Sequence, residues 1–401
     1  MLVVHKYGGT SVGDVERIEN VTNRVAKARE NGDDIVVVVS AMSGETNKLI
    51  GYADHFTNEP AKKEMDMLLS SGERVTAALL SIALQARGYD AVAMTGRGAG
   101  IVTNDTHTYA RIESIDPTAM HDAIKAGKIV IVAGFQGVNK DGSVTTLGRG
   151  GSDLSAVALA GALKADQCEI YSDVDGIYTT DPRIEPNAKK LDKISYDEML
   201  ELSSLGAKVL QSRSVELAKK LGVKLYAKSS FSNNEGTLIS EESDKMEEVL
   251  VSGVVLDKNQ ARVTLRGVSD KPGIAAEIFT KLATENINVD MIIQNMGTDG
   301  STNLGFTVPQ SEHENAKKVM DTFAKDIEGM DFDENVCKVS VVGVGMKSHS
   351  GVAATAFTVL ADSNINIQMI STSEIKVSMI IDEKYGELAI RTLHEAYGLD
   401  K

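Results

Sequence analysis

The chain contains no tryptophan, two cysteines, six prolines and only 4% aromatic residues in 401. Two thiols cannot make a disulfide framework, and both Cys168 and Cys337 sit inside apolar runs, where a buried, unreactive thiol is expected. Scarce proline beside 35 glycines, 42% hydrophobic and 25% charged residues excludes disordered and fibrous classes and leaves an ordered α/β protein. No run of 18 apolar residues occurs, and no basic start leads into a long apolar stretch. Neither a membrane span nor an export signal is therefore expected, and the cytoplasm is the expected location. A formal charge of −15 without a basic cluster argues against nucleic acid as a partner, so any anionic ligand must be held by local groups. Neither G-x-x-x-x-G-K-[ST] nor G-x-G-x-x-G is present, which leaves a P-loop NTPase and a Rossmann dehydrogenase unsupported. Seven scattered histidines, His5 within the first strand among them, receive no catalytic role.

What the chain does have is glycine placed for phosphate. Lys6-Tyr7-Gly8-Gly9-Thr10-Ser11, Gly148-Arg149-Gly150-Gly151-Ser152-Asp153 and Ser172-Asp173-Val174-Asp175-Gly176-Ile177-Tyr178 each lie where a strand-like run ends or a helix-like run begins. Glycine lets the backbone approach an anion closely, and a following helix start adds its positive dipole end. The length predicts two or three domains. Short β-rich runs at Leu2 to His5, Ile35 to Val39, Ala91 to Thr95, Ile129 to Ala133, Gln167 to Tyr171 and Lys224 to Ala227 alternate with helical stretches. That alternation predicts an open, mostly parallel sheet sandwiched by helices. Val15, Ile18, Val21, Val25 and Ala28 recur at helical spacing before Asn31-Gly32. Ligands in such sheets sit beyond the carboxyl ends of the strands, where Gly8-Gly9-Thr10, Ser40 to Gly44 and Gly96-Arg97-Gly98 fall.

The polar run from Ser240 to Glu248 predicts a linker or boundary helix, and the organisation changes after it. Gly273 to Ile292 and Gly351 to Ile370 align without a gap at 12 identical positions of 20, an internal duplication. Each copy reads as a strand, a glycine-started amphipathic helix and a second strand after Asn-Ile-Asn. Ala276, Phe279, Leu282 and Ala283, repeated as Ala354, Phe357, Leu360 and Ala361, are expected core.

Six segments in order then carry a resemblance: Lys6 to Ser11, Val39 to Asn47, Ser71-Gly72-Glu73-Arg74, Leu147 to Asp153, Asp173 to Arg183 and Gly206-Ala207-Lys208-Val209-Leu210. With the doubled C-terminal segment, the chain resembles the aspartate kinases of the amino-acid kinase superfamily. Ser172 stands where the family usually has Thr, and Gln211-Ser212 where many members have His-Pro. The resemblance implies a catalytic domain over 1–245 and two ferredoxin-like ACT modules over 262–334 and 335–401, the second completed by strand 249–256. It implies transfer of the γ-phosphoryl group of ATP, with Mg²⁺, to the β-carboxylate of L-aspartate. That nucleophile is already ionised at pH 7 and needs no base, so positioning and charge neutralisation carry the reaction.

By the same resemblance, Lys6 and Lys208 stabilise the transferring group from two sides, and Asp153 holds the lysines in place. Asp153 also reads as a helix N-cap. Lys6, Tyr7, Gly8, Gly9, Ser172, Asp173, Tyr178, Asp181, Arg183, Lys208 and Val209 are implied at the nucleotide. Arg149 is expected on the α-carboxylate of aspartate and Glu73 on its ammonium, with Ser40, Thr46 and Ser152 adding contacts. Magnesium is expected on phosphate oxygens and water, so no protein ligand is named. The remaining readings are another member of the superfamily acting on a different acceptor, and a non-catalytic amino-acid sensor.

ACT modules bind small amino acids between paired modules. Only the first copy keeps Ser269-Asp270-Lys271-Pro272-Gly273, against Lys347-Ser348-His349-Ser350-Gly351 in the second. The expected effector site therefore uses Asp270, Ile274, Ala275, Asn288 and Gln294, with Asn364, Ile365 and Glu374 from the other copy. Lysine, threonine or both are the expected effectors. A homo-oligomer joined through the ACT modules is expected, with a small subunit from an internal start near Met246 as a further possibility of the family.

Overall fold

The β-branched runs that read as strands form the centre of a helix-covered sheet, because residues buried on both faces leave no room for polar side chains. The computed structural model describes residues 1–204, 209–242, 250–269, 271–296, 301–347, 349 and 351–401. Lys208, Asp270 and Met246, and most of the stretch expected as a linker, lie outside them. The described chain forms two units. The first holds Met1–Ile177, Lys190–Ser203 and residues 209–242, and the second holds Tyr178–Lys189, Ser204 and the described residues from 250 onward.

The first unit begins with β1 (Leu2–Tyr7), α1 (Val15–Glu30), β2 (Asp34–Val39), α2 (Glu45–Asp54), α3 (Lys62–Leu69) and α4 (Ser71–Ala86). It continues through β3 (Ala91–Met94), β4 (Ile101–Thr103), β5 (Ile112–Ile115), α5 (Thr118–Lys125), β6 (Ile129–Ala133), β7 (Gln136–Val138) and β8 (Val144–Thr146). It ends with α6 (Gly151–Leu163), β9 (Gln167–Ser172), β10 (Lys193–Ser195), α7 (Tyr196–Ser204), α8 (Ser212–Leu221), β11 (Leu225–Ser229) and β12 (Thr237–Ser240). Eight strands lie in the order β10-β12-β11-β9-β1-β2-β6-β3. All pairs are parallel except β11 with β12. All six strands expected from the sequence are in this sheet. A second sheet, β5-β4-β7-β8, has no counterpart among those expectations. Its strands have three or four residues and polar character, too short to show a period.

Lys62–Ala86 is long and apolar enough to cross a membrane by length and composition. Half of its most apolar stretch is buried, with Ala77, Leu80 and Leu84 in one core cluster with Val37, Val39 and Ile131. The stretch comprises α3 and α4, and α4 is a core helix of the first unit.

The second unit contains β13 (Gly253–Ser269), α9 (Ile274–Thr284), β14 (Ile292–Met296), β15 (Ser301–Val308), α10 (His313–Asp321), β16 (Gly329–Val342), α11 (Val352–Asp362), β17 (Ile367–Thr372), β18 (Lys376–Asp382) and α12 (Gly386–Ala396). The repeats show as α9 and α11, each capped by a glycine with positive φ, Gly273 at 105° and Gly351 at 106°. Only glycine holds that conformation without strain, which is why each repeat opens with it. The two copies share one six-stranded sheet, β14-β15-β13-β16-β18-β17. β13 and β16 run through both copies: Ala261 to Ser269 pairs with β15, while Gly253 to Asp257 pairs with Val342 to Lys338. Of the residues expected as core, Leu282 and Leu360 are fully buried in separate cores and Phe279 and Phe357 are half-buried, but Ala276, Ala283, Ala354 and Ala361 are exposed, because the buried stripe runs instead through Ile278 and Ala356.

Candidate active site

The carboxyl ends of β1, β2 and β6 and the start of α6 converge on one site. Alternation along β1 sends Lys6 to the α6 side of the sheet and His5 and Tyr7 to the other. There Lys6 Nζ meets Asp153 Oδ1 at 2.6 Å, with both side chains nearly buried. Asp153 lies in the first turn of α6 but does not cap it. The N-cap is Gly150, with φ 68°, and no side chain bonds the helix start. Gly151 N donates to the Gly148 carbonyl at 3.0 Å and Asp153 N to the Gly150 carbonyl at 3.1 Å, so what this start offers an anion is chiefly the positive end of the helix dipole. Gly8 adjoins the Lys6 ammonium, and a Cβ added to it would come within 3.4 Å of Nζ. A Cβ on Gly9 would lie 3.1 Å from the Ala41 carbonyl. Tyr7 contributes only its backbone on this side, since its ring is buried and stacked on Tyr171 at 4.8 Å.

On the face away from Lys6, Glu169 accepts hydrogen bonds from Tyr171 Oη at 2.6 Å and Gln167 Nε2 at 2.9 Å and pairs with Lys228 and His5. Burial pushes the Glu169 carboxyl up, but the His5 hydrogen bond and the charges of His5 and Lys228 outweigh it and hold it below the usual carboxylate range. This buried network fixes the strand that carries Lys6.

Glu73, in the first turn of α4, is 4% exposed. One oxygen accepts from Ala41 N at 3.1 Å, and Oε2 is buried with no partner among the described residues. A buried, unpaired carboxylate oxygen is costly unless a ligand completes it. Burial lifts this carboxyl to about 7, against the hydrogen bonds of its own amide and of Ala41. Gly72 makes room: a Cβ there would sit 2.7 Å from that of Ala41. Ser152 abuts Gly134 at the end of β6, where a Cβ on the glycine would lie 2.9 Å from that of Ser152. Arg149 is exposed, and its guanidinium has no hydrogen bond or ion pair among the described residues. Ser40 follows β2, and Thr46 lies in the first turn of α2 after Gly44.

Gln211, one of the departures from the family pattern, is the N-cap of α8 and donates its amide to the Arg149 carbonyl. No local sequence signal marks this contact, nor that of Arg213, which donates to the Leu147 carbonyl at 2.7 Å. Ser172 and Asp173 stand at the end of β9 in the first unit, and Val209 is half-buried there. Tyr178, Asp181 and Arg183 lie on a segment that belongs to the second unit. Arg183 grips Asp181 through two nitrogens, at 3.0 Å and 2.6 Å, and this pairing holds the Asp181 carboxyl below its usual range.

Ile274 and Ala275 open α9, Asn288 follows that helix and Gln294 is on β14. Asn364 and buried Ile365 follow α11, and Glu374 is in the turn between β17 and β18. β14 and β17 are the two edges of the shared sheet.

Residues 1–228 match the amino acid kinase family, and residues 263–322 and 339–397 match the ACT domain. An amino acid kinase fold followed by paired ACT modules is thus the class of this molecule. The chain is 57% identical over 405 residues to the aspartokinase of Helicobacter pylori strain J99, with both chains fully covered. It is 54% identical over 403 residues to that of Pseudomonas aeruginosa PAO1, covering 100% of this chain and 98% of the other. The solved Escherichia coli aspartokinase III in complex with aspartate and ADP superposes with a TM-score of 0.80 at 26% identity, covering 99% of each chain. Its complex with lysine and aspartate gives the same TM-score over 98% of this chain and 99% of that one. The chain belongs to the aspartate kinase family, and its activity is ATP-dependent phosphorylation of aspartate, feedback-regulated through the ACT domains.

Proposed function

We propose that Glu73 and Arg149 clamp L-aspartate by its ammonium and α-carboxylate, so that its β-carboxylate faces the γ-phosphate of ATP beside Lys6. A β-carboxylate oxygen attacks phosphorus, the bond to the ADP oxygen breaks, and ADP leaves with the electron pair; no proton moves. Lys6 neutralises charge on the transferring group, and Asp153 keeps its ammonium aimed there. Lys208 serves the leaving-group side. Gly8 and Gly9 let the backbone approach the phosphates, and Ser172, Asp173, Tyr178, Asp181, Arg183 and Val209 line the nucleotide. Such preorganised charge is the main resource of a site whose nucleophile is already ionised. Among the described residues no group of three or more His, Cys, Asp or Glu is placed to hold a metal. Mg²⁺ would accompany the nucleotide on phosphate oxygens and water, neutralising phosphate charge.

The observation that carries this reading is the unpaired, buried Glu73 Oε2, which supplies the partner that the substrate ammonium needs. Lysine, threonine or both act as effectors between ACT modules; that Escherichia coli aspartokinase III has been solved in complex with lysine supports lysine among them. The edge strands β14 and β17 suit a second copy of the chain, and a small subunit begun near Met246 and a cytoplasmic location complete the proposal. The test is an aspartate hydroxamate assay with MgATP, without effector and with lysine, threonine or both. Aspartate-dependent turnover suppressed by one or both effectors is expected. Turnover with a different acceptor alone would overturn the substrate, and turnover indifferent to both amino acids would overturn the effectors.

A further inference from the structure

One fully buried carboxylate has no part in the chemistry above. Asp66, on α3, has no exposed surface and no lysine or arginine partner among the described residues. It accepts instead from the loop between β4 and β5 and from β8. Its Oδ2 lies 2.6 Å from His107 Nδ1, Thr108 N reaches Oδ1 at 2.9 Å and Oδ2 at 3.2 Å, and the Thr146 hydroxyl donates to Oδ1 at 2.5 Å. Thr108 has φ 66°, a left-handed conformation that a β-branched residue holds only when its surroundings impose it. The two bonds from its amide to Asp66 are that imposition.

The strained turn puts Tyr109 against Gly148. Gly148 has φ 79°, and a Cβ there would be 2.5 Å from Tyr109 Cδ2 and 3.4 Å from the Thr108 carbonyl. The Arg213 guanidinium lies over the Tyr109 ring at 4.6 Å and donates to the carbonyls of Leu147 and, at 3.3 Å, Ala110. Tyr109 itself is 52% exposed, so it adds little to the core. Its packing instead braces the residue immediately before Arg149.

We infer that Asp66 is a positioning residue for substrate binding: by clamping Thr108 it seats Tyr109 on Gly148 and so sets the direction of Arg149. The inference rests on the reading that Arg149 holds the α-carboxylate of aspartate. Asp66 acts through that loop and through Thr146 on β8, and touches no substrate. Its loss therefore weakens aspartate binding and leaves the nucleotide alone, a split that general destabilisation does not produce.

The test is steady-state kinetics of the full-length enzyme for D66N, D66A, Y109A, R149K and the double variant D66N/R149K. The side-chain amide introduced by D66N keeps a carbonyl oxygen as acceptor for Thr108 and Thr146. The aspartate KM is therefore expected to rise about 3-fold in D66N and about 10-fold in D66A, with the ATP KM and kcat within about 2-fold. Y109A, a change at an exposed ring, is expected to raise the aspartate KM as D66A does, and it serves if D66A does not fold. D66N/R149K is expected to be no worse than R149K, because both changes disable one contact. An unchanged aspartate KM in Y109A and in whichever Asp66 variants fold, or a parallel rise in both KM values, would overturn the inference. R149K with an unchanged aspartate KM would instead overturn the assignment of Arg149.

Discussion

Burial raises the Glu73 carboxyl to about 7, and the proposed role of this residue requires its ionised form. As pH falls below 7 the group becomes neutral and no longer attracts an ammonium. The kcat/KM for aspartate is therefore expected to decline toward tenfold per unit on the acid side, which a pH–rate profile measures. In E73Q that limb is absent and the aspartate KM rises about 100-fold, the scale of a lost charge-assisted hydrogen bond. Stability runs the other way. A folded pKa raised above the ordinary 4.5 means that the folded state prefers the proton, so this contribution is fully present below 4.5 and lost as pH rises through 7. E73Q should then gain melting temperature over the parent at pH 8 more than at pH 5. Lys6 poses a separate case: K6M is expected to lower kcat by about 10²–10³ and also to lower thermal stability, since Asp153 would be left nearly buried without its cation. Wild-type turnover in K6M would remove Lys6 from the mechanism.

Elements carry these residues, and their legibility varies. The strands of the large sheet are readable because long β-branched runs have few alternatives, and both glycine-started repeat helices are readable because the duplication shows them twice. The β5-β4-β7-β8 sheet is not, and with it goes Asp66, which in Lys-Lys-Glu-Met-Asp-Met looks like one more solvated carboxylate. Its importance depends on a loop more than forty positions away in the chain, a distance that no local pattern spans. Four substitutions probe the elements. Gly150 opens α6 at φ 68°, and a Cβ would fall 2.5 Å from Gln211 Cδ. G150A is expected to raise the aspartate KM roughly 10-fold, and adding Q211A to recover only part, since the clash is relieved and the backbone strain is not. L282A and L360A each empty a core position and should cost about 2–5 kcal/mol in denaturant unfolding of the second unit.

At the scale of the molecule, the second unit takes a segment from inside the kinase sequence. Val254 N donates to the Thr179 carbonyl at 2.8 Å, Thr179 Oγ1 lies 2.9 Å from His394 Nε2, and Arg391 Nε donates to the Ile184 carbonyl at 2.9 Å. Ile184 packs on the core formed by Leu360, Met379 and Leu393. Since Tyr178, Asp181 and Arg183 are proposed at the nucleotide, T179V is expected to raise the ATP KM about 3- to 10-fold with the aspartate KM unchanged, and initial-rate measurements decide it. Sequence shows the doubling of the regulatory half but not this borrowing, nor the sharing of β13 and β16, because both depend on pairings between distant residues. The borrowed segment has a consequence for inheritance. A regulatory half cut off at residue 245 and fused to another kinase would arrive without the stretch that seats on Arg391 and His394. These modules are therefore not interchangeable cassettes. Swaps between relatives are expected to give a folded regulatory half only when residues 178–189 travel with the graft.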